Sequence, residues 1–370
     1  MSKRKKLILL ALPTLLAIII VIFLLNWHIP TLVRISLTAN KISFKTGGTE
    51  KATILDSVGL KSVVIEKFGS IKLKPASLSL FGQERGPRLN RGAGNAITNL
   101  TIEQLPVVLT PRAGRSQSNI TFAPAISGPR SAVMIDALNA NPSSEISIED
   151  TEDLTDLILR VDGQQSSGNV SIAEPFKLAI DQTEIAGIAN SVALTQPLTL
   201  KATLIRDSAV EFISQENSLI LTLTVPEENT SILVPQGHLL ITGIKFEELD
   251  QQSGKVLSSL TKDSAGEISY PDYDDKIGKA TITKPDFLWL DDLRDFSIEE
   301  LTYNPGKRGI SVKLFGVANK ITSGSAEYSK DLRLTAYTAL WNNYKLVAVF
   351  VVLCWVAGTT AAFYKFVKES

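Results

Sequence analysis

The chain has 370 residues, with 38 basic and 38 acidic side chains, two histidines and one cysteine. This length allows one large domain or two ordinary ones. Residues 28–344 hold 31 basic against 37 acidic side chains, a balance that argues against nucleic acid, whose phosphates need a basic surface. A single cysteine also excludes an internal disulfide framework and a Cys/His zinc site.

The N-terminus opens with Lys3, Arg4, Lys5 and Lys6, and no charged residue follows from 7 to 27. The uninterrupted apolar run from 7 to 25 covers roughly 29 Å as a helix, close to the hydrocarbon thickness of a bilayer. A cleaved signal has a shorter apolar core and a small-x-small cleavage site. Here Asn26-Trp27-His28-Ile29-Pro30 follows instead. The sequence therefore predicts a cytoplasmic tail over 1–6 and an uncleaved signal-anchor helix over 7–27, with Trp27 at headgroup level.

Residues 28–344 show little helical periodicity. Short alternating or β-branched runs recur, as in Val33–Leu37, Ser62–Ile65, Leu157–Val161, Leu219–Val225 and Ile310–Phe315. A period of two marks half-buried strands, and many such runs broken by Gly, Pro, Asn and Ser predict a mainly β fold. The expected architecture is a large extracytoplasmic β-sandwich-like domain, or a pair of β-modules, between two transmembrane helices. The polar, acid-rich stretch 139–155 is the best sub-boundary, with a second break near 226–236 and a helical turn suggested over 185–192. Ala39-Asn40-Lys41-Ile42-Ser43 is echoed by Ala318-Asn319-Lys320-Ile321-Thr322, which would suit neighbouring strands of one sheet.

Candidate sites are few. Arg85, Arg88 and Arg91 lie in a glycine-rich segment and could contact an anion, lipid or sugar. Asp272, Asp274 and Asp275 crowd one turn with Tyr270 and Tyr273, a weak calcium candidate that lacks the spacing of a calcium loop. Residues 286–293, Asp-Phe-Leu-Trp-Leu-Asp-Asp-Leu, read first as core and second as a partner-binding patch. His238 sits in a strand-like run and reads as structural. No catalytic constellation, nucleotide loop or cofactor motif is present, so no cofactor is expected.

A second uncharged run, 345–364 apart from Lys345 at its edge, is flanked by Trp341, Tyr344 and Tyr364, which predicts another transmembrane helix. Within it Ala357 with Ala361, and Gly358 with Ala362, form a small-residue stripe suited to close helix packing. Lys365 and Lys368 lie in the tail 365–370. By the positive-inside rule both termini are cytoplasmic in a bacterial plasma membrane, and 28–344 is extracytoplasmic. The expected partners are the bilayer and another envelope protein, with an oligomer allowed. The expected role is a non-catalytic scaffold, sensor or accessory subunit. An envelope hydrolase using carboxylates or a Ser/Lys pair, and a channel or transporter component, are the alternatives.

Overall fold

The fold was analysed in a computed structural model. It describes Leu15 and residues 18–344 apart from 74–76, 82–88, 92–94, 98, 104–106, 112–118, 125–132, 152–154, 164, 173–175, 182, 187–191, 195–197, 204–208, 215–216, 227–230, 235–238, 250–255, 262–263, 274–278, 284–285, 306–308, 326–327 and 342–343. Beyond 344 it describes 351, 354, 355, 358, 359, 361, 362 and 365.

The architecture is mainly β, in two antiparallel sheets. Helix α1 (18–26) leads into β1 (Thr31–Ala39). The chain then makes an outgoing pass: β2 (Lys41–Thr46), β3 (Ala52–Leu60), β4 (Ser62–Glu66), β5 (Phe68–Leu73), β6 (Ser77–Phe81) and β7 (Leu89–Arg91). It returns through β8 (Asn95–Ile97), β9 (Asn99–Glu103), β10 (Val107–Pro111), β11 (Asn119–Pro124), β12 (Val133–Ala140) and β13 (Glu145–Asp150). A third pass runs out through β14 (Asp156–Asp162), β15 (Ser167–Ile172), β16 (Phe176–Asp181), β17 (Thr183–Ala186) and β18 (Val192–Leu194). A fourth comes back through β19 (Leu198–Thr203), β20 (Ala209–Ser214) and β21 (Ser218–Thr224).

These passes pair as nested hairpins. β2 pairs with β13, β3 with β12, β4 with β11, β5 with β10, β6 with β9 and β7 with β8. β14 likewise pairs with β21, β15 with β20, β16 with β19 and β17 with β18. The two hairpins join side by side, with β13 on β14 and β12 on β15. Successive strands of each pass alternate between the larger and the smaller sheet, so a four-stranded ribbon winds back and forth across a sandwich. Its fourth pass meets its first pass two strands further on, as β21 pairs with β4 and β20 with β5. Winding pairs the ribbon's edges with each other, which removes exposed edges along the coil.

Alternation in the sequence sets which face is buried. In β14 and β21 every second side chain points inward, placing Leu157, Leu159, Val161, Leu219, Leu221 and Leu223 in the core. They form one cluster with Phe44, Phe68, Phe122 and Phe212, all fully or nearly fully buried. Each such ring contributes on the order of 2 kcal/mol by leaving water.

The closing segment holds β22 (Ser231–Val234), β23 (Leu239–Leu249), β24 (Val256–Ser258), β25 (Ala265–Ser269), β26 (Ala280–Thr283), β27 (Phe287–Tyr303), β28 (Ile310–Gly324) and β29 (Ser329–Asp331). The larger sheet continues from β2 through β23, β27, β28, β1 and β25 to β26. The two echoed pentapeptides share the larger sheet but do not lie on neighbouring strands: 41–43 begin β2, between β13 and β23, whereas 318–322 lie in β28, which pairs with β1, β27 and β29. The stretch 139–155 holds β13, which is paired on both edges, by β2 and β14. Ile185, read within a helical turn, is in β17 opposite Leu109, because a neighbouring strand offers its backbone a ladder.

After β29 the chain enters α2, helical over 336–341, and scattered described positions up to 365 are helical too. Among the described residues no helix is long and apolar enough to cross a membrane, and most of 7–17 and 345–364 lies outside them.

Candidate functional site

Two places gather side chains worth a functional reading: a cleft in the larger sheet and the root of the terminal helices.

The cleft exists because β27 bends. Its inward alternation breaks over 291–295, where Asp292 and Asp295 have positive φ of 51° and 47°. Its register with β28 shifts between Arg294 and Ser297, and again between Ile298 and Glu300. Bulges of this kind turn a strand out of its sheet. β27 therefore pairs with β23 only where Leu239–Ile241 faces Phe296–Ile298. Beyond that point residues 242–247 of β23 and 287–292 of β27 separate around a cleft of about 730 Å3.

Ile244, Phe246, Leu288 and Leu290 line the inner part of the cleft and are buried. Phe287, Trp289, Lys45, Glu145, Lys245, Glu247, Asp291 and Asp292 line the outer part. Trp289 is 40% exposed and stacks on Phe287 with ring centroids 5.5 Å apart. Within 286–293 Leu288 and Leu290 are core, as the first reading expected, while Trp289 faces out. Ser259 closes one end, its Oγ accepting from the Leu288 amide at 2.7 Å. Asp291 pairs with Lys320 at 3.1 Å, and Asp292 accepts from Asn319 Nδ2 at 2.5 Å.

At the root, the segment that enters β1 meets the segment that leaves β29. His28 and Thr335 form an antiparallel bridge. The Ile29 amide donates to the Leu334 carbonyl (3.1 Å), and the Ala336 amide to the Trp27 carbonyl (2.7 Å). Thr335 caps α2, its Oγ1 accepting from the Thr338 amide at 3.2 Å, the usual contribution of threonine at a helix start. Asp331 holds the approach to α2. Its carboxylate accepts Arg333 Nη2 at 2.6 Å and the Arg333 amide at 2.9 Å, with His28 Nδ1 at 3.8 Å. The Arg333 guanidinium also donates to the Asn319 carbonyl, and Tyr270 donates to the Leu332 carbonyl at 2.6 Å. Burial pushes the Asp331 carboxyl up, but hydrogen bonds and charge from Arg333, with His28 behind it, outweigh burial and hold it below the usual carboxylate range. Burial, then the charge of Asp331, raises the Tyr270 phenol.

A depressed carboxyl stabilises the fold at pH values above its unfolded titration and loses that contribution as pH falls through its folded value. We expect thermal stability to fall from weakly acidic pH downward, and Asp331→Asn to flatten part of that acid limb while lowering stability at neutral pH. Melting curves of both proteins from neutral pH down through the strongly acidic range, below the ordinary carboxylate titration, check this; identical acid limbs would contradict it.

The sequence-predicted sites fare unevenly. Asp272 sits in an exposed turn closed by the Tyr273 amide donating to the Tyr270 carbonyl at 3.0 Å; Asp274 and Asp275 lie outside the described residues. Among the described residues no group of three His, Cys, Asp or Glu side chains could hold a metal. Arg91 ends β7, opposite Asn95 of β8 and Val192 of β18. It stands at the end of the wound ribbon opposite the helix roots, and Arg85 and Arg88 lie outside the description. Gly358, Ala361 and Ala362 are helical and exposed, and among the described residues outside its own helical turn no atom lies within 4 Å of where a Gly358 side chain would begin; Ala357 and His238 lie outside the described residues. Sequence reasoning missed the cleft and the root cluster, because neither is a local motif. The Asp-Asp and Arg-Asp pairs at 291–295 were the visible trace of the bulge.

No protein-family model matches the chain, and no curated protein matches it either.

Proposed function

We propose that this is a two-span, membrane-anchored envelope protein whose β-rich outer domain binds or positions another envelope component without catalysing a reaction. One observation carries the reading: the terminal helices leave the β-domain side by side from an antiparallel bridge, and the described part of α1 is apolar and exposed on all its faces. Ile18 is 57% exposed and Phe23 60% exposed, with Ile19, Ile20, Val21, Ile22 and Leu25 similarly open. A helix that is apolar all round suits a lipid or protein surround rather than water. Trp27, Tyr337, Trp341 and Tyr344 are exposed near the two roots, where an interface would favour aromatic rings. Side-by-side roots return the chain to the side it came from, in keeping with the basic residues at both ends.

In this arrangement the domain is held at two points, so the sandwich stands on the bilayer with the Arg91 end outermost and the cleft on its side. The root cluster transmits this hold, because Asp331 and Arg333 fix the approach to α2 against β28. Cross-linking in native membranes followed by solubilisation and purification of the full chain tests the role. The reading predicts recovery of a second envelope component in constant ratio. Recovery of this chain alone, with or without cross-linker, would count against it.

A further inference from the structure

The cleft lies between two strand edges that no described strand pairs. β23 is hydrogen-bonded to β2 along 242–247, from Gly243 opposite Lys45 to Glu247 opposite Lys41, and among the described residues no strand pairs its other edge there. β27 is bonded to β28 from Phe287 to Asp291, and again no described strand pairs its opposite edge. In an antiparallel strand the amides and carbonyls of alternate residues point to opposite edges. The Leu288 amide points away from β28, to Ser259, so the Leu290 amide, two residues on and before the bulge, shares its direction into the cleft. Two strand edges with open hydrogen-bonding groups therefore face each other across a space that tapers to their junction at Leu239–Ile241.

We infer that this cleft takes an extended segment of a partner protein as an added β-strand. This deepens the proposed function by naming the partner's chemistry, and it rests on that reading. Side chains of an inserted strand alternate between the two sides of the sheet. One set meets Ile244, Phe246, Leu288 and Leu290 and must be apolar. The other meets Phe287 and Trp289 and the charged rim, where the carboxylates of Glu145, Glu247, Asp291 and Asp292 outnumber the ammonium groups of Lys45 and Lys245. Lys320 outside the cleft offsets one of these carboxylates through Asp291, leaving the rim acidic. The matching segment is alternating, β-branched on its inner side and basic on its outer side. Six edge residues at about 3.3 Å each give room for a segment of about six residues.

The test uses the full chain in detergent and a synthetic Lys-Val-Thr-Val-Lys-Val-Thr peptide. The peptide is expected to bind saturably, and methylating two central backbone nitrogens should weaken it about tenfold or more, since those amides would donate to the open edges. Replacing its lysines with glutamates should weaken it at low salt and less so at high salt. Bound peptide should slow hydrogen exchange of amides within 242–247 and 288–292, and Trp289→Ala should lower affinity several-fold while leaving the melting temperature nearly unchanged. Three results would overturn the inference: no saturable binding at millimolar peptide, equal binding of the methylated peptide, or protection confined to other strands. Self-association that protects the same amides on concentration would overturn it too, in favour of a second copy as occupant. A second envelope component that co-purifies in constant ratio although the peptide fails to bind would separate failure of this inference from failure of the proposed role.

Discussion

Gly316→Ala is expected to be among the most damaging single-methyl substitutions in the chain, lowering stability by about 3–5 kcal/mol. Gly316 lies in β28 with φ of 154°, opposite Val33 of β1. A Cβ there would sit 2.5 Å from the Phe296 Cα and 2.8 Å from the Asp295 carbonyl oxygen. Both contacts are backbone, so no side-chain rotation relieves them. The same close approach lets the β27 bulge fold its buried Phe296 against β28, and so the bulge that opens the cleft depends on this glycine. The melting temperature should fall by roughly 6 °C or more. Gly243→Ala supplies the control, because nothing lies within 4 Å of its new Cβ and its effect should stay within about 0.5 kcal/mol. Equal melting temperatures for the two variants would refute this packing account.

Asp150→Ala should cost about 2–4 kcal/mol. Asp150 ends β13, in the wound ribbon, while its partners belong to the closing hairpin of β27 and β28. Its Oδ1 accepts from the Tyr303 hydroxyl at 2.9 Å and its Oδ2 from the Gly309 amide at 2.8 Å. Tyr303 is fully buried, so its hydroxyl has lost water before it finds this acceptor, and removing the acceptor costs more than an exposed bond would. Tyr303→Phe removes only one of the two bonds and should cost about 1–2 kcal/mol. The double variant should lose less than the sum of the singles, since both remove the same bond. Strict additivity in denaturant melts would show that the two groups do not act through each other.

Asp150 also marks where sequence reading stopped. Glu149, Asp150, Glu152, Asp153 and Asp156 look like a polar connector when read along the chain. In space Glu149 pairs with Lys41 at 3.5 Å and Asp150 clamps Tyr303 and Gly309, so the same carboxylates join elements far apart in sequence. Local alternation was legible wherever one face is buried: the runs at 33–37, 62–65, 157–161 and 310–315 all lie in strands, and 219–224 makes up nearly all of β21. The nested winding was not legible, because alternation tells which face a strand buries and nothing about which strand it meets. Trp289 shows the same limit at the candidate site. Its aromatic neighbourhood could be seen in the sequence, but the cleft appears only once the bulge at 292–295 parts β27 from β23.

The most direct test of the anchoring claim is a pair of fusions of alkaline phosphatase, an enzyme that works only outside the cytoplasm, in an intact bacterial host. Placed after Ser370 it should be inactive, and placed within the β-domain in a truncated chain it should be active. Activity after Ser370, or inactivity within the β-domain, would contradict the arrangement of two spans with both ends inside.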